Sequence, residues 1–336
     1  MTKIVQEAAP KILEAIKASK NVLLHCHPSP DPDSVGSALA MKFALEGMGK
    51  RATVIRGDSE IPDAFMHFPG ARDIVPKNFF EIDLKEFDLF MIQDTGGLDR
   101  VSRVAEVKIP ESLPTIAIDH HDSTQPFGTA GNLIEPSYPS TAAILFDLFK
   151  LWNVKLTPEI AANLFIGTYT DTGGFKYEKT KPEIFLMAEE LTKIYPQFSS
   201  LILTMENSST PDEIKLLGLI FSSIKTFFDG RFALAAISLA GLDAHGLSPA
   251  SSGTSRATSM MRSVKDWQIT CTCMEVGPGR TKASFRSSDS EKFDLSKLAS
   301  ALGGGGHKAA AGTVLTMPLE QAIEKIVTTA KEIYNL

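Results

Sequence analysis

Aspartate and histidine side chains recur in four segments of the chain, each at the end of an apolar run. Carboxylate oxygens and imidazole nitrogens are the donors that a pair of divalent cations requires, and one carboxylate can bridge two ions. The sequence therefore predicts a metal centre for two ions, with Asp94 as a suitable bridge. The residues concerned are His27, Asp31, Asp33, Asp94, Asp119, His120, His121 and Asp171.

The apolar runs before these residues are predicted to be strands of one α/β sheet. Ligands of open α/β sheets bind beyond the carboxyl ends of the strands, so the polar residues are expected to converge in one crevice. Helix-like segments alternate with the runs, which favours a doubly wound, mainly parallel sheet. The strand candidates are 21–27, 51–57, 87–94, 115–121 and 165–174, and the helix candidates are 33–50 and 140–152.

Individual members of this set also have structural interpretations. Asp33 alone is more typical of a helix N-cap than of a metal ligand, and Asp171 before Thr-Gly-Gly fits a turn. His25 is an alternative ligand, because it lies two residues from His27 on the same run. Independent caps would not select Asp and His in four separate segments. The joint pattern therefore favours the metal centre.

Composition narrows the class of protein. The chain has 336 residues, of which 43% are hydrophobic and 22% charged, which is typical of a globular protein with more than one core. The net charge of −6 argues against a long nucleic-acid track, but it is compatible with a short anionic substrate held by metal ions.

The first 20 residues predict an amphipathic helix, with Ile4, Ile12, Leu13 and Ile16 on one side, and not a signal peptide. Three cysteines form no disulfide framework, so we expect a cytoplasmic protein with no membrane partner.

The second half of the chain predicts a smaller α/β domain. Thr210 and Glu213 form a capping-box pattern that opens a new helix, and Asp229-Gly230 and Gly-Pro-Gly 277–279 are typical of hairpin turns. We therefore expect a catalytic domain at 1–195, a linker at 196–212 and a second domain at 213–336, with the active-site cleft between the two domains. Cys271 and Cys273 share one face of a strand, which favours packing over metal binding.

The motifs together resemble those of the DHH phosphoesterases. Asp119-His120-His121 is the name motif of that family, and "HPSPDPD", "QDTGGLDR" and "GTYTDTGGF" match its other N-terminal motifs in order. "SFRSS" (284–288) and "GGGGHKAAAG" (303–312) resemble its C-terminal DHH-associated domain. In length and domain plan the chain is most similar to the nano-RNases that also dephosphorylate 3′-phosphoadenosine 5′-phosphate (pAp).

The resemblance implies two Mn²⁺ ions and two-metal hydrolysis of a phosphoester. It implies catalytic roles for Asp94, Asp119, His120 and His121. His121 would face the substrate phosphate, and Asp119 would orient a neighbouring histidine. The implied first site is His27, Asp31 and Asp94, and the implied second site is Asp33, Asp94, His120 and Asp171.

The expected substrate is an oligoribonucleotide a few residues long, cut to 5′-mononucleotides, with pAp as a second substrate. A dinucleotide phosphodiesterase, linear or cyclic, or an exopolyphosphatase is the alternative, and a non-catalytic nucleotide-binding sensor is less favoured. We expect no long nucleic acid as a partner, and a homodimer is compatible with the sequence. The glycine run before the helix-like "HKAAAG" predicts a nest of N–H donors for an anion. The candidate substrate-binding residues are His121, Arg100, Arg286, Ser287, Gly304, Gly305, Gly306 and His307.

Overall fold

The structure is a computed structural model, which describes residues 1–122, 124–249 and 254–336. The chain forms two compact units, Met1–Ser208 and Ser209–Leu336. Each unit has its own sheet and buried apolar residues around it. Among the described residues, no helix combines the length and the apolar character that crossing a lipid bilayer requires.

The first unit is built on a five-stranded sheet. Its strands are β1 (Asn21–His25), β2 (Arg51–Ile55), β3 (Leu89–Gln93), β4 (Thr115–Asp119) and β5 (Gly131–Ile134). Their order in the sheet is β2-β1-β3-β4-β5, and every neighbouring pair is parallel. The predicted α/β class with a mainly parallel sheet is confirmed.

Helices pack on one face of this sheet, and short 3₁₀ turns and loops cover the other. Leu24 and Met91 contact the helices, whereas Leu23 and Phe90 lie under the turns. Because both faces are covered, β3 and β4 are buried at every position, as expected for central parallel strands. The helices are α1 (Lys3–Ala18), α2 (Pro32–Gly47), α3 (Thr141–Leu151), α4 (Pro158–Asp171), α5 (Pro182–Ile194) and α6 (Phe198–Glu206), and the 3₁₀ turns are Asp63–His67, Ala71–Asp73, Phe79–Glu81, Leu84–Glu86 and Leu98–Arg100.

The segment 165–174 is not a strand, and that prediction is wrong. It is the second half of α4 with the turn after it. Thr157 caps this helix on the Ile160 N–H, and Pro158 occupies the first turn, both of which are signals of a helix start. Every residue from Ile160 to Thr168 is buried. A fully buried helix and a buried strand share the same continuous apolar pattern, so periodicity could not separate them.

Glycines allow α2 and α4 to approach closely. A Cβ atom at Gly36 would lie 2.6 Å from the carbonyl oxygen of Asn163, and one at Gly167 would lie 2.8 Å from a carboxylate oxygen of Asp33. Neither position has room for a side chain without movement of its neighbour. The two glycines therefore let the helices bring Asp33 close to the carboxyl-terminal half of α4.

The N-terminal helix α1 is amphipathic, as predicted, but its buried face differs in part. Ile12 and Ile16 are buried, whereas Ile4 is half exposed and Leu13 is partly buried. The prediction for Ile4 is therefore wrong. The buried stripe is Val5, Ala9, Ile12 and Ile16, which follows the three-to-four-residue spacing of a single helix face more closely.

The second unit has a six-stranded mixed sheet. Its strands are β6 (Lys225–Phe227), β7 (Phe232–Ile237), β8 (Ile269–Gly277), β9 (Arg280–Ser287), β10 (Gly305–Gly306) and β11 (Ala310–Leu315), and its helices are α7 (Pro211–Ser222), α8 (Leu239–Asp243), α9 (Thr254–Met261), α10 (Leu295–Ala301) and α11 (Leu319–Tyr334). The order is β10-β11-β9-β8-β7-β6, with β7 and β8 parallel and the other pairs antiparallel. The predicted smaller C-terminal α/β domain is confirmed.

Several local predictions for this half of the chain are also confirmed. The capping box of Thr210 and Glu213 opens α7, and both predicted hairpins form between antiparallel strands. Cys271 and Cys273 are buried in the core, with sulfur atoms 3.6 Å apart. The segment 196–212, expected as a linker, contains the helix α6.

The segment after the glycine run is not helical, and that prediction is wrong. Gly305 and Gly306 pair with β11, and "HKAAAG" forms the turn and the start of that strand. Ala310 in turn pairs with Arg286 of β9. Alanine favours helix, but strand pairing on both sides of β11 overrides a weak local preference. The predicted anion nest at a helix N-terminus therefore has no helix behind it.

Candidate metal centre

The predicted ligands lie at the ends of strands and helices of the first unit. His27 and Asp31 lie in the loop between β1 and α2, and Asp33 lies in the first turn of α2. Asp94 follows β3 directly. Asp119 ends β4, His120 and His121 follow it, and Asp171 is the last residue of α4. Three strand ends and one helix end, rather than four strand ends, supply the set.

The strand order explains why these ends converge. The connection from β1 runs to β2 on one side, and β3 lies on the other side of β1. In open parallel sheets, ligands bind in the crevice where the order reverses. His27 and Asp94 follow the two strands that flank this point.

The structure brings His27, Asp31 and Asp94 together as a first possible ligand set. His27 Nε2 lies 3.3 Å from Asp31 Oδ2 and 3.7 Å from Asp94 Oδ2. Asp31, rather than Asp33, caps α2, since its carboxylate accepts a hydrogen bond from the Ser34 N–H at 2.9 Å. Burial would raise the pKa of Asp31, but the contact with His27 and the hydrogen bond from the Ser34 N–H together lower it.

A second possible set consists of Asp33, His120 and Asp171. His120 Nε2 lies 3.2 Å from Asp171 Oδ2, 3.5 Å from Asp94 Oδ1 and 3.9 Å from Asp33 Oδ2. Asp94 thus adjoins this set as well as the first. Its Oδ2 atom is directed to His27 and its Oδ1 atom to His120, which is the arrangement that a bridging carboxylate needs.

Backbone conformation contributes to the orientation of Asp94. Its φ angle is 54°, in the left-handed region that aspartate tolerates better than most residues other than glycine. Its side chain is 2% exposed. The chain turns sharply as β3 ends and buries the carboxylate between the two ligand sets.

Asp33 is fully buried and is held by the amino terminus of α3. Its carboxylate accepts hydrogen bonds from the Thr141 N–H at 2.7 Å and the Ala142 N–H at 3.0 Å. Asp33 is therefore bonded to the N–H groups of another helix and does not cap its own. Burial, together with the neighbouring Asp94 and Asp171 carboxylates, raises the pKa of Asp33 well above its usual range.

Asp119 contacts His121 and not the imidazole of His120. Its carboxylate lies 2.7 Å from His121 Nδ1 and accepts the N–H of His120 at 2.8 Å and the hydroxyl of Thr124. Burial would raise the pKa of Asp119, but these hydrogen bonds, led by that of His121, lower it. An ionised Asp119 can thus hold the proton on Nδ1 of His121 and fix the orientation of its ring.

The residues present fit a divalent metal. Burial would lower the pKa of His120, yet the Asp171 and Asp94 carboxylates raise it well above its usual range. Burial and Asp94 also raise the pKa of Asp171. Within the described part of the chain, neither ring nitrogen of His120 has a hydrogen-bond partner of suitable geometry. A cation between His120 and these carboxylates would satisfy the imidazole and neutralise the crowded negative charge.

His25, the alternative ligand, does not join either set. It is 1% exposed and lies edge-on to the Phe90 ring at a centroid distance of 5.6 Å. Burial lowers its pKa to about 4, so it is neutral at physiological pH. Its side chain is part of the sheet, whereas His27 lies beyond the strand end.

The other predicted substrate-binding residues belong to both units. Arg100 is exposed in a 3₁₀ turn, and its charge opposes protonation of His27. Arg286 is partly buried on β9 and donates to the Phe285 carbonyl at 2.8 Å, and Ser287 is buried beside it. His307 lies in the turn after Gly304, Gly305 and Gly306, where all four residues are exposed.

One residue with a direct role at the ligands was not predicted. Thr141 contacts both Asp33 and Asp94. The contacting residues are 108 and 47 positions apart in the sequence. The only sequence signal at this position is the Ser-Thr pair at 140–141 before a helix, and that pair predicts a helix N-cap rather than a contact with metal ligands.

Models of known families match two parts of the chain. "DHH family, N-terminal domain" matches residues 21–168, which include all predicted ligands except Asp171, and "DHHA1 domain" matches residues 248–335. The chain belongs to the DHH family. DHH phosphoesterases are metal-dependent hydrolases of phosphoester bonds, and the Asp and His cluster, apart from Asp171, lies in the part that the first model matches.

The sequence similarity to individual relatives extends over 90% or more of the chain. The chain is 28% identical over 96% of its length to the bifunctional oligoribonuclease and PAP phosphatase NrnA of Thermus thermophilus, covering 93% of that protein. It is 22% identical to the protein of the same name from Mycoplasma pneumoniae, with 90% of each chain covered. An exopolyphosphatase-related protein from Bacteroides fragilis has the same fold, with a TM-score of 0.87, 24% identity and coverage of 99% and 98% of the two chains.

Proposed function

We propose that the chain is a manganese-dependent phosphoesterase that hydrolyses very short oligoribonucleotides to 5′-mononucleotides and dephosphorylates pAp. The observation that carries this proposal is the buried Asp94 carboxylate, whose two oxygens are directed to two different sets of Asp and His ligands. The relatives named as bifunctional oligoribonuclease and PAP phosphatase support the choice of substrates.

The first ion would be held by His27, Asp31 and Asp94, and the second by Asp33, Asp94, His120 and Asp171. Imidazole ligands favour manganese over magnesium. When bound, such a pair of ions activates water for attack on phosphorus and neutralises the charge that develops there.

The protein groups around the ligands then have separate tasks. Asp119 holds the ring of His121 through Nδ1 at 2.7 Å, and we propose that the opposite edge of this ring contacts a phosphoryl oxygen of the substrate. The α3 N–H groups hold Asp33, so this carboxylate needs little rearrangement when a ligand binds. Groups that are held in place before the reaction stabilise charge without the cost of reorganisation.

Arg286, Ser287, the glycines 304–306 and His307 are proposed to bind the part of the substrate distal to the scissile bond, and Arg100 a nearby phosphate. A guanidinium binds phosphate through two parallel hydrogen bonds, which lysine cannot reproduce. Arg286→Ala should therefore lower kcat/KM for a dinucleotide by one to two decades, which corresponds to about 1.5–3 kcal/mol for a charged contact. Hydrolysis of bis-p-nitrophenyl phosphate, which has no distal phosphate, should change much less.

Matched variants separate this role from folding. Arg286→Lys should recover little, and Arg280→Ala, an exposed arginine on the same strand, should behave like the wild type. An equal loss on the dinucleotide and on the small ester would assign Arg286 to catalysis or folding instead of substrate binding.

One assay tests the proposed function as a whole. Purified protein with Mn²⁺ is supplied with a labelled dinucleotide, a 24-nucleotide RNA, pAp, cyclic di-AMP and polyphosphate, with a chelated sample as control. We expect the dinucleotide and pAp to be hydrolysed fastest and the chelated sample to be inactive. Preference for polyphosphate or cyclic di-AMP would replace the proposed substrate, and activity after complete chelation would remove the metal.

A further inference from the structure

The first residue of α3 contacts two of the proposed ligand carboxylates at once. Thr141 is fully buried. Its backbone N–H donates to Asp33 Oδ2 at 2.7 Å, and its hydroxyl donates to Asp94 Oδ1 at 3.2 Å. A single residue therefore connects a proposed ligand of the second ion with the proposed bridge between both ions.

The hydroxyl contact bears on how the Asp94 carboxylate is oriented. Rotation about the last side-chain torsion of an aspartate is soft, with broad minima. A bridging role requires that Oδ1 stays directed to His120 and Oδ2 to His27, at the observed 3.5 and 3.7 Å. A hydrogen bond to Oδ1 alone breaks the equivalence of the two oxygens and opposes rotation of the group.

The hydroxyl is not required to start the helix. Ser140 is the N-cap of α3, and its side chain accepts a hydrogen bond from the Ala143 N–H at 3.0 Å. The capping role is thus filled by the preceding residue, and the Thr141 hydroxyl is directed to Asp94 instead. Donors that orient ligands in this way typically change metal affinity 10–100-fold when removed.

We infer that Thr141 is a positioning residue, whose hydroxyl holds the Asp94 carboxylate in the orientation that bridges two metal ions. This inference rests on the proposed two-metal function and extends it to a residue outside the ligand sets. The backbone N–H contact to Asp33 is independent of the side chain, so a substitution at position 141 isolates the effect on Asp94.

The test compares Thr141→Val, which removes the hydroxyl at nearly constant volume, with Thr141→Ser, which keeps it. Thr115→Val is the matched control, because Thr115 is a buried threonine whose hydroxyl bonds Thr129 at the opposite end of β4 from Asp119. Titration with Mn²⁺ in a calorimeter gives affinity and stoichiometry, and electron paramagnetic resonance detects the spin coupling of a bridged Mn²⁺ pair. Melting curves of the metal-free proteins report folding.

We expect Thr141→Val to bind Mn²⁺ about 10–100-fold more weakly and to lose the coupled signal. Thr141→Ser should stay within a few-fold of the wild type, and Thr115→Val should change only the melting temperature. Wild-type affinity and a coupled signal in Thr141→Val would overturn the inference and leave Thr141 a packing residue. If the valine variant does not fold, Thr141→Ala removes the same hydroxyl with less bulk.

These readouts need no substrate, so they separate two kinds of failure. A wild-type protein that binds two coupled ions but hydrolyses none of the tested nucleotides would contradict the proposed substrates and leave the inference standing. A wild-type protein that binds no pair of ions would overturn both.

Discussion

At the scale of single residues, the cluster of proposed metal ligands carries more negative charge than a metal-free fold would favour. Asp171 is the last residue of α4, where the helix dipole disfavours a carboxylate. Asp33 is buried between Asp94 and Asp171, and its pKa is raised by that burial and by both neighbours. Such groups weaken the metal-free protein at neutral pH, and a bound cation would remove the cost.

Asp94→Asn tests the bridge. The amide cannot provide two anionic oxygens, so both ions should bind more weakly and turnover should fall roughly a thousand-fold or more, the effect of losing several kcal/mol of charge stabilisation. Metal content by mass spectrometry and steady-state turnover of the dinucleotide are the measurements. Asp88→Asn is the control, because Asp88 is an aspartate that binds the Lys20 and Asn21 N–H groups at the far end of β1. Two ions and full turnover in Asp94→Asn would contradict the bridging role.

Asp171→Asn tests the cost of the charge. Burial and Asp94 raise the pKa of Asp171 above its ordinary 3.8, despite the opposing effect of His120. Since the pKa of the folded state exceeds that of the unfolded state, the group stabilises the fold below pH 3.8, and this contribution is lost as the pH rises through the folded-state value. The metal-free variant should therefore melt at a higher temperature than the wild type at pH 7, by about 2–4 °C for roughly 1 kcal/mol.

Two controls accompany the Asp171→Asn measurement. The difference in melting temperature should shrink as the pH is lowered towards the raised pKa of Asp171 in the folded state, because the wild-type carboxyl then protonates. Added Mn²⁺ should raise the melting temperature of the wild type more than that of the variant. The reason is that a ligand stabilises the folded state more when it binds that state more tightly. A variant that melts below the wild type at pH 7 without metal would show that the contact of Asp171 with His120 outweighs the repulsion.

At the scale of elements, the sequence predicted three of the four ligand-bearing runs correctly as strands. Runs such as 87–94 are short and end in a polar residue, as buried parallel strands do. The fourth run was missed because α4 is buried along most of its length, and only Thr157-Pro158 at its start indicated a helix. The roles of Gly36 and Thr141 could not be predicted, because both depend on which distant elements touch.

Gly36→Ala tests whether the α2 and α4 contact sets the geometry of the ligands. The new Cβ would lie 2.6 Å from the Asn163 carbonyl oxygen, so the helices must separate, at a cost of about 1–3 kcal/mol. Gly47→Ala, in the same helix with no atom within 4 Å of its Cβ, should stabilise by about 0.4–1 kcal/mol. Urea denaturation measures both. Because α2 carries Asp33 and α4 carries Asp171, Gly36→Ala should also weaken Mn²⁺ binding. Unchanged stability and Mn²⁺ affinity would show that the contact between the helices accommodates a methyl group and does not set the geometry of the ligands.

At the scale of the whole molecule, charge limits which substrates the protein can hold. The net charge is −6, and of the basic residues near the glycine turn Lys308 is already paired with Glu291 at 3.2 Å. Arg286 and Arg100 are the main phosphate contacts that we propose outside the metal ligands. The proposed function therefore relies on metal ions, rather than on a basic surface, to bind the phosphates of the substrate.

Substrate length and salt dependence follow from this limited phosphate grip. With two or three phosphates neutralised by side chains, the logarithm of affinity should fall with the logarithm of salt at a slope of about −1.4 to −2.1, the value for single strands. We expect kcat/KM to be highest for substrates of about two to five nucleotides, since longer chains add phosphates without adding contacts.

The measurement is kcat/KM for 2-, 5- and 24-nucleotide RNAs at 50 and 200 mM salt with Mn²⁺ held constant. Arg280→Ala should leave the slope unchanged, whereas Arg286→Ala should make it shallower by about 0.7, one phosphate contact. Processive digestion of the 24-nucleotide RNA at a comparable rate, or a slope several units steeper, would mean that a basic track outside these residues binds the chain, and the restriction to short substrates would then be wrong.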